Sequence, residues 1–136
     1  MSTTTASLAP PAPAVPKERG GRDLLARFYR ALGDPTRLAL LAFCAEEERT
    51  GQDCVTHVGL SQGRISAHLA CLVSCGLVEV RRSGRYAYYR TADPRVAELV
   101  ALGTSMVAEH AASIAACTKV ATGPPGAVEA GWQGPR

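Results

Sequence analysis

The chain has 136 residues, of which 46% are hydrophobic, 20% charged and 5% aromatic, a size that buries one core and disfavours a second domain. Lys and Arg number 15 against 12 acidic residues, and this net charge of +3 does not by itself establish a polyanionic partner. No stretch approaches the roughly 20 apolar residues that span a bilayer, and residues 1–16 lack the charged and apolar regions of a secretory signal. We therefore expect a cytoplasmic protein without a membrane partner.

Both ends of the chain have the composition of disordered segments. Residues 1–20 are rich in Pro, Ala and Thr, and residues 121–136 are rich in Gly and Pro. Neither segment can bury enough apolar surface to offset the entropy lost on ordering. The predicted folded domain therefore covers residues 21–120.

Apolar residues at helical spacing predict three short helices in the first half of this domain. The first helix covers residues 23–32. Asp34 followed by Pro35 is typical of a helix start, and the second helix continues to about residue 45. After a charged, solvated connection, a third short helix is predicted over residues 52–58.

A fourth helix and a hairpin follow. Ser61 is the predicted N-cap of this helix and Gly76 its end. Its apolar stripe consists of Ile65, Leu69, Leu72 and Val73. The periodicity then changes from 3.6 to 2, which predicts a β-hairpin over residues 77–90 with a tight turn at Ser83 and Gly84.

The last predicted helix covers residues 95–117 and starts after Asp93 and Pro94. Its apolar positions outnumber what a single domain of this size can cover, which predicts a dimerisation helix. This order of elements predicts a mainly α (α+β) fold, namely a winged helix-turn-helix with a two-stranded wing and a C-terminal dimerisation helix.

The fourth helix and the hairpin have the chemistry of a DNA interface. A helix in the major groove needs small or hydrogen-bonding side chains, so that its backbone can approach the base edges. The side chains of this kind are Gln62, Gly63, Arg64, Ser66, Ala67 and His68. The hairpin carries Arg81, Arg82, Arg85 and Arg90, with only Glu79 near them in sequence. Such a basic protrusion is suited to phosphates or a minor groove, so we expect double-stranded DNA as the partner.

Two of the five cysteines have the spacing of a metal site. Cys71 and Cys75 lie four residues apart, which places both sulfurs on one side of the fourth helix. Thiolates suit soft ions such as Hg(II), Cd(II) and Pb(II), and less selectively Zn(II). Two thiolates can hold Hg(II) linearly, whereas Cd(II) and Pb(II) prefer further ligands, one of which Cys117 could supply. A buried core pair is the alternative interpretation of the two cysteines.

Two other functional classes are alternatives to a metal sensor. A thiol-based redox repressor would oxidise Cys71 and Cys75, or either of them with Cys117, but the four-residue helical spacing is poorly suited to an unstrained disulfide. An enzyme is disfavoured, because the chain has no nucleophile with a base, no carboxylate pair and no phosphate loop. Cys44 follows the apolar stripe of the second helix and is predicted to be a core residue.

Three segments resemble the ArsR/SmtB family of metal-responsive repressors. Residues 31–37, Ala-Leu-Gly-Asp-Pro-Thr-Arg, resemble its opening signature, residues 60–69 its recognition helix and residues 76–89 its wing. The resemblance covers about residues 24–117 without large gaps. It implies a homodimer that binds an inverted-repeat operator and blocks transcription until an inducer arrives.

Residues 68–77 closely resemble the cadmium- and lead-sensing, CmtR-like branch of that family. In that branch the two recognition-helix cysteines join one from the C-terminal region, which implies a site of Cys71, Cys75 and Cys117. Cys54 is an additional candidate, because other members hold a Cys-x-Cys pair in the third helix. The resemblance thus implies Hg(II), Cd(II) or Pb(II) as the inducer and resistance genes as the target, with no organic cofactor.

Overall fold

The structure is a computed structural model that describes residues 15–117. Within these residues the elements are α1 (Arg19–Leu32), α2 (Pro35–Glu46), β1 (Arg49–Thr50), α3 (Gly51–Val58), α4 (Gln62–Ser74), β2 (Val78–Ser83), β3 (Tyr86–Thr91) and α5 (Arg95–Ala116). The strands form an antiparallel sheet in the order β1–β3–β2. Helices α3 and α4 form the helix-turn-helix and β2–β3 the wing, so the predicted winged helix-turn-helix is confirmed.

Helix α1 begins at Arg19, earlier than the predicted start at residue 23. Arg19 and Gly20 are therefore helical, and their assignment to the disordered arm is wrong. The backbone amide of Arg22 donates to the carbonyl of Glu18 at 3.1 Å, and its guanidinium donates to the carbonyl of Pro16 at 3.3 Å. These bonds hold residues 16–18, the segment that precedes the helix, although this segment has no apolar periodicity. The rest of the predicted arm, residues 1–14, and the predicted tail over residues 121–136 lie outside the described residues.

The predicted starts of the second and fourth helices are confirmed by side-chain caps. The carboxylate of Asp34 accepts hydrogen bonds from the backbone amides of Thr36 at 2.8 Å and Arg37 at 3.1 Å. The hydroxyl of Ser61 accepts one from the amide of Arg64 at 3.3 Å. Each cap satisfies backbone donors that have no partner inside the helix, which fixes where α2 and α4 begin.

The connection between α2 and α3 contains a strand that the sequence did not predict. Arg49 and Thr50 pair with Tyr89 and Tyr88 of β3, so the wing belongs to a three-stranded sheet. A two-residue strand is too short to show an alternating pattern. The hydroxyl of Thr50 accepts from the amide of Asp53 at 3.1 Å, and the carboxylate of Asp53 accepts from the amide of Thr50 at 2.9 Å. This capping box begins α3 directly after the strand.

Helix α4 ends at Ser74, and Cys75 is its C-cap rather than a residue of the helix. Gly76 then adopts a φ of 75°, a left-handed conformation that favours glycine. The amide of Leu77 donates back to the carbonyl of Leu72 at 3.0 Å and closes the last turn. The predicted role of Gly76, the glycine that terminates the helix just after its C-cap, is confirmed.

The wing turn consists of Gly84 and Arg85, one residue later than the predicted turn. Ser83 pairs with Tyr86 and is therefore the last residue of β2. Gly84, with a φ of 61°, occupies the first turn position, where tight hairpin turns require a positive φ. The register of the wing follows from this glycine.

The core lies between the helices and the first residues of the wing. Its buried members are Ala31, Leu40, Leu41, Cys44, Cys54, Ile65, Leu69, Leu72, Leu77, Val78 and Val96. The predicted apolar stripe of α4 therefore faces the core, although Val73 is only half-buried. Cys44 is 2% exposed, as its predicted core role requires.

Helix α5 contributes little to this core. Val96 is its only buried residue among those described, whereas Leu102 is 62% and Met106 60% exposed. The helix was expected to run without interruption, but its backbone leaves helical geometry at His110, with φ −129° and ψ 21°. By length and composition α5 could also cross a membrane, contrary to the expectation that no stretch of the chain could.

An apolar groove lies along the exposed side of α5. The groove measures about 450 Å³ and lies between α5 and the start of the domain. Its lining residues are Tyr29, Leu32, Leu38, Leu99, Val100, Leu102, Gly103, Thr104, Met106 and Val107. A Cβ atom built on Gly103 meets nothing within 4 Å, so the backbone of α5 is open to a close neighbour there. Pairing with a second copy would cover this surface without a membrane.

Asp34→Ala removes the acceptor of two backbone amides at the start of α2. We expect it to lower the free energy of unfolding by about 1 kcal/mol. Urea denaturation followed by circular dichroism, at one fixed protein concentration, measures this change. Asp23→Ala, which removes an exposed acid from α1, is the control and should stay within about 0.5 kcal/mol of the unsubstituted chain. Equal losses in the two variants would contradict the capping role.

Leu102→Glu or Met106→Glu places a charge in the apolar groove of α5. We expect each variant to sediment as a monomer at low micromolar concentration, whereas the unsubstituted chain sediments as a dimer. Ser105→Glu adds the same charge to an exposed position of α5 outside the groove lining, and this variant should remain dimeric. An unsubstituted chain that is monomeric and still binds DNA tightly would rule out the dimerisation helix.

Candidate nucleic-acid interface and thiol site

The N-terminal half of α4 presents the predicted DNA-contacting residues to the surface. Those that are exposed are Gln62, Gly63, Arg64, Ser66 and Ala67. The same helix is held in place by Ile65 and Leu69, which are buried in the core. A Cβ atom built on Gly63 meets nothing within 4 Å, so the surface is open to the close approach that base edges require.

His68 differs from the other predicted DNA contacts. It is half-buried, and its Nδ1 atom lies 3.2 Å from the guanidinium of Arg37. The same guanidinium donates to the carbonyls of Ala31 at 2.7 Å and Arg30 at 2.9 Å. His68 therefore anchors α4 to the end of α1 and the start of α2. Its role as a base contact stays a prediction.

The arginines of the wing fall into two groups. Arg81 donates two hydrogen bonds to the carboxylate of Glu48, at 2.6 and 3.2 Å, and Arg90 forms an ion pair with Glu79. In contrast, no ion pair within residues 15–117 involves Arg82 or Arg85, and both are exposed.

The pairing of Arg81 with Glu48 corrects the view that only Glu79 opposes the basic hairpin. Glu48 precedes β1, which the sequence analysis did not predict, and the pairing of β1 with β3 brings this acid next to the wing. The Arg81 guanidinium holds the pKa of Glu48 below its usual range and also lies 4.6 Å from the ring centroid of Tyr88. The free positive charge of the wing is therefore concentrated at Arg82 and Arg85.

The helix and the wing face a common concavity. A groove of about 250 Å³ lies between them and is lined by Gln62 and Ser66 of α4 and by Arg85 and Tyr86 at the hairpin turn. Polar side chains that are predicted to contact bases and a guanidinium thus line one groove. Such an arrangement can hold a base edge and the adjacent phosphate at the same time.

The C-terminal end of α4 carries the two closely spaced thiols. Cys71 and Cys75 are both half-buried, and the amide of Cys75 donates to the carbonyl of Cys71 at 3.1 Å. Burial and the neighbouring Cys71 thiol raise the pKa of Cys75, while the nearby charge of Arg37 acts in the opposite direction. The two sulfurs are therefore close enough to interact, as their spacing predicted.

The other predicted ligands lie elsewhere in the chain. Cys117 is exposed and follows the last residue of α5, and Cys54 is buried beside Cys44 in the core. Within residues 15–117, no group of three His, Cys, Asp or Glu side chains is placed to hold a metal ion. A single chain therefore brings together Cys71 and Cys75 but does not add Cys117 or Cys54 to them.

Comparisons with known proteins agree with this architecture. The family profile described as "Bacterial regulatory protein, arsR family" matches residues 34–80. The chain is 52% identical over 98 residues to the "Probable mercury resistance operon repressor" of Streptomyces lividans, which covers 72% of this chain and 78% of that protein. It is 40% identical over 99 residues to the HTH-type transcriptional regulator CmtR of Mycobacterium bovis, which covers 65% of this chain and 84% of that protein.

A solved structure shows the same fold. It is a homodimeric winged helix-turn-helix DNA-binding domain from Mycobacterium bovis, with a TM-score of 0.64 and 37% sequence identity. The match covers 74% of this chain and 93% of that domain. The likeness therefore extends over nearly the whole of the solved domain.

The division of the wing arginines predicts different salt dependences of DNA binding. Arg82→Ala or Arg85→Ala should weaken binding to all DNA sequences alike and lower the slope of log affinity against log salt by about one. Arg81→Ala should lower it less, because Glu48 already holds that guanidinium. Glu48→Gln frees Arg81 and should raise the slope. Fluorescence anisotropy of a labelled duplex over a salt series measures these changes.

Gln62→Ala is the contrasting variant for this experiment. Its side chain is exposed on α4 and uncharged, so its loss should relax the choice between DNA sequences and leave the salt slope unchanged. If the slope stays the same in the Arg82 and Arg85 variants, the hairpin does not contact phosphates and is not a DNA-binding wing.

Proposed function

Since the chain belongs to the ArsR family of bacterial regulatory proteins, we propose that it is a metal-responsive repressor whose operator is released when a thiophilic ion binds Cys71 and Cys75. It is a DNA-binding transcriptional repressor of that family and not an enzyme. The observation that carries the proposal is the position of two neighbouring, half-buried thiols, one on and one directly after the helix that presents the predicted DNA contacts. We place this activity in the cytoplasm, where reducing conditions keep thiols free.

The proposed DNA target is an inverted-repeat operator bound by a homodimer. Two copies related by a two-fold axis present two α4 helices, which must reach half-sites about 34 Å apart, one turn of DNA. The apolar groove along α5 supplies the surface on which the copies pair. The wings then hold the flanking phosphates through Arg82 and Arg85.

The proposed inducers are Hg(II), Cd(II) and Pb(II). Cys71 and Cys75 offer two sulfur donors, which suffice for Hg(II), while Cd(II) and Pb(II) require a third. Cys117 is exposed at the end of α5, and pairing of the α5 helices is the means by which it would approach the thiols of a second copy. The name of the Streptomyces lividans relative supports mercury, and the likeness to CmtR supports a sulfur site.

The proposed release mechanism acts through the anchor of α4. Cys71 lies one helical turn after His68. Arg37, whose guanidinium lies 3.2 Å from His68, also acts on Cys75 through its charge. A metal ion that draws the two sulfurs together with a third ligand would shift the end of α4 against this anchor. Because both half-sites must be met at once, a small change in α4 spacing costs contacts on both sides. A coupling free energy of about 1–3 kcal/mol is typical of such a switch.

Oxidation of the same thiols is the competing trigger. The thiolate is the form that reacts with oxidants, and burial raises the pKa of Cys75. This lowers the amount of thiolate available to a metal as well as to an oxidant, so the argument against oxidation is the four-residue helical spacing, which is poorly suited to an unstrained disulfide. Protons also compete with the metal for sulfur, so metal-driven release should require more metal as the pH falls.

Cys71→Ser and Cys75→Ser should leave binding of the metal-free protein to its operator nearly intact and abolish metal-driven release. The measurement is operator binding by fluorescence anisotropy, with and without Hg(II), Cd(II) and Pb(II), under reducing conditions. Cys44→Ala is the control, because it removes a buried thiol without leaving an unsatisfied hydroxyl in the core, and it should keep the response.

Two outcomes would overturn the proposal. Release by metal in both the Cys71 and Cys75 variants would exclude the site. Release of DNA by the unsubstituted protein on addition of hydrogen peroxide, together with no response to any of the three metals, would establish the redox alternative.

Cys117→Ser should weaken the response to Cd(II) and Pb(II) more than the response to Hg(II), because only Cd(II) and Pb(II) need its sulfur.

A further inference from the structure

We propose that Cys44 and Cys54 form a second thiol site, buried in the core, which takes a two-coordinate soft ion of the Hg(II) type and excludes Cd(II) and Pb(II). This site is separate from Cys71 and Cys75. Its presence does not depend on whether the first site controls DNA binding.

The two thiols meet between α2 and α3. Cys44 lies in the last turn of α2 and Cys54 in the middle of α3, and they are 2% and 0% exposed. The two thiols belong to the same core cluster, and each acts on the other: the contact with Cys54 raises the pKa of Cys44, and the contact with Cys44 lowers the pKa of Cys54. Two buried thiols are thus neighbours at the interface of two helices.

The surroundings of this pair determine which ion it can accept. Every buried residue of the described chain is hydrophobic, and none is polar or charged. The core therefore supplies two sulfur donors and no third ligand. Cd(II) and Pb(II) would remain under-coordinated in this site, whereas Hg(II) is stable between two thiolates.

The charge of a two-thiolate complex of a divalent ion is compatible with the apolar core. Replacing two thiol protons by one Hg(II) ion gives a neutral dithiolate, so no net charge enters the core. A buried net charge would carry a large desolvation penalty. The core of the domain is thus compatible with the mercury complex on grounds of both ligand number and charge.

The exchange that loads the site is balanced and involves no oxidation. Hg(II) is carried in reducing solution as a complex with two small thiols. Each protein thiol forms a bond to mercury as one small thiolate leaves, and the protein's proton passes to that thiolate. Two small thiols are released for each ion bound.

Mercury at this position would join α2 to the first helix of the helix-turn-helix. The same two helices already meet through the stacked rings of Phe43 and His57, with centroids 3.8 Å apart. A covalent S–Hg–S bridge beside this stack would stabilise the folded chain. It would not move α4, so it would not by itself release DNA.

The test uses the full chain with Cys71→Ser, Cys75→Ser and Cys117→Ser, which keeps only the buried pair. In the presence of a small competing thiol, Hg(II) should bind at one equivalent per chain by native mass spectrometry and raise the melting temperature. Cd(II) and Pb(II) should do neither. Adding Cys54→Ala to this variant should abolish both effects of Hg(II). Circular dichroism verifies that the compared variants are folded.

A second measurement uses the unsubstituted protein and needs no folded variant. After Hg(II) is added, the protein is denatured in an alkylating reagent, and the modified cysteines are identified by peptide mass spectrometry. Protection of Cys44 and Cys54 supports the buried site. Their full alkylation overturns it, and so does mercury binding that survives Cys54→Ala in the variant without Cys71, Cys75 and Cys117. Operator release is measured separately through Cys71 and Cys75, so failure of the buried site and failure of the proposed function are distinguishable.

Discussion

The position of the recognition helix α4 depends on the half-buried guanidinium of Arg37. Arg37 donates to the carbonyls of Ala31 and Arg30 in the last turn of α1, and its third nitrogen lies 3.2 Å from Nδ1 of His68 in α4. Its own backbone amide is held by Asp34, the cap of α2. One side chain therefore joins three helices. Lysine could not replace it, because a single ammonium group cannot present this planar set of donors in three directions.

This anchor matters because α4 serves three purposes on three parts of its surface. Ile65 and Leu69 hold it in the core, its exposed N-terminal half is available to DNA, and Cys71 and Cys75 lie at its C-terminal end. The thiols and the DNA-reading side chains share one rigid element, so no long chain of contacts is needed between them. A force at one end of the helix is opposed mainly by the anchor and the core, and any remaining displacement reaches the DNA-facing half directly.

The sequence predicts those features that depend on neighbouring residues. Asp34, Ser61 and Gly76 act through backbone groups a few residues away, so their roles as caps and helix ends were predictable. The apolar stripe of α4 was predictable for the same reason. The ion pair of Arg81 with Glu48 joins residues 33 positions apart and depends on the two-residue strand β1, which has no periodic pattern. The contact between Cys44 and Cys54 likewise depends on how α2 crosses α3, which neither helix encodes alone.

The dimer connects what remains incomplete in a single chain. Within residues 15–117, one copy offers one reading helix, two sulfur donors on it, and an apolar groove along α5 with exposed Leu102 and Met106. An inverted repeat requires a second reading helix, and a three-coordinate ion requires a third sulfur. Pairing along α5 would provide the second α4 helix. It would also bring Cys117 of the second copy toward Cys71 and Cys75. In the proposed mechanism, a metal ion bound across the two copies would act on the same spacing of helices on which operator binding depends, and this shared dependence would make metal binding and DNA binding antagonistic.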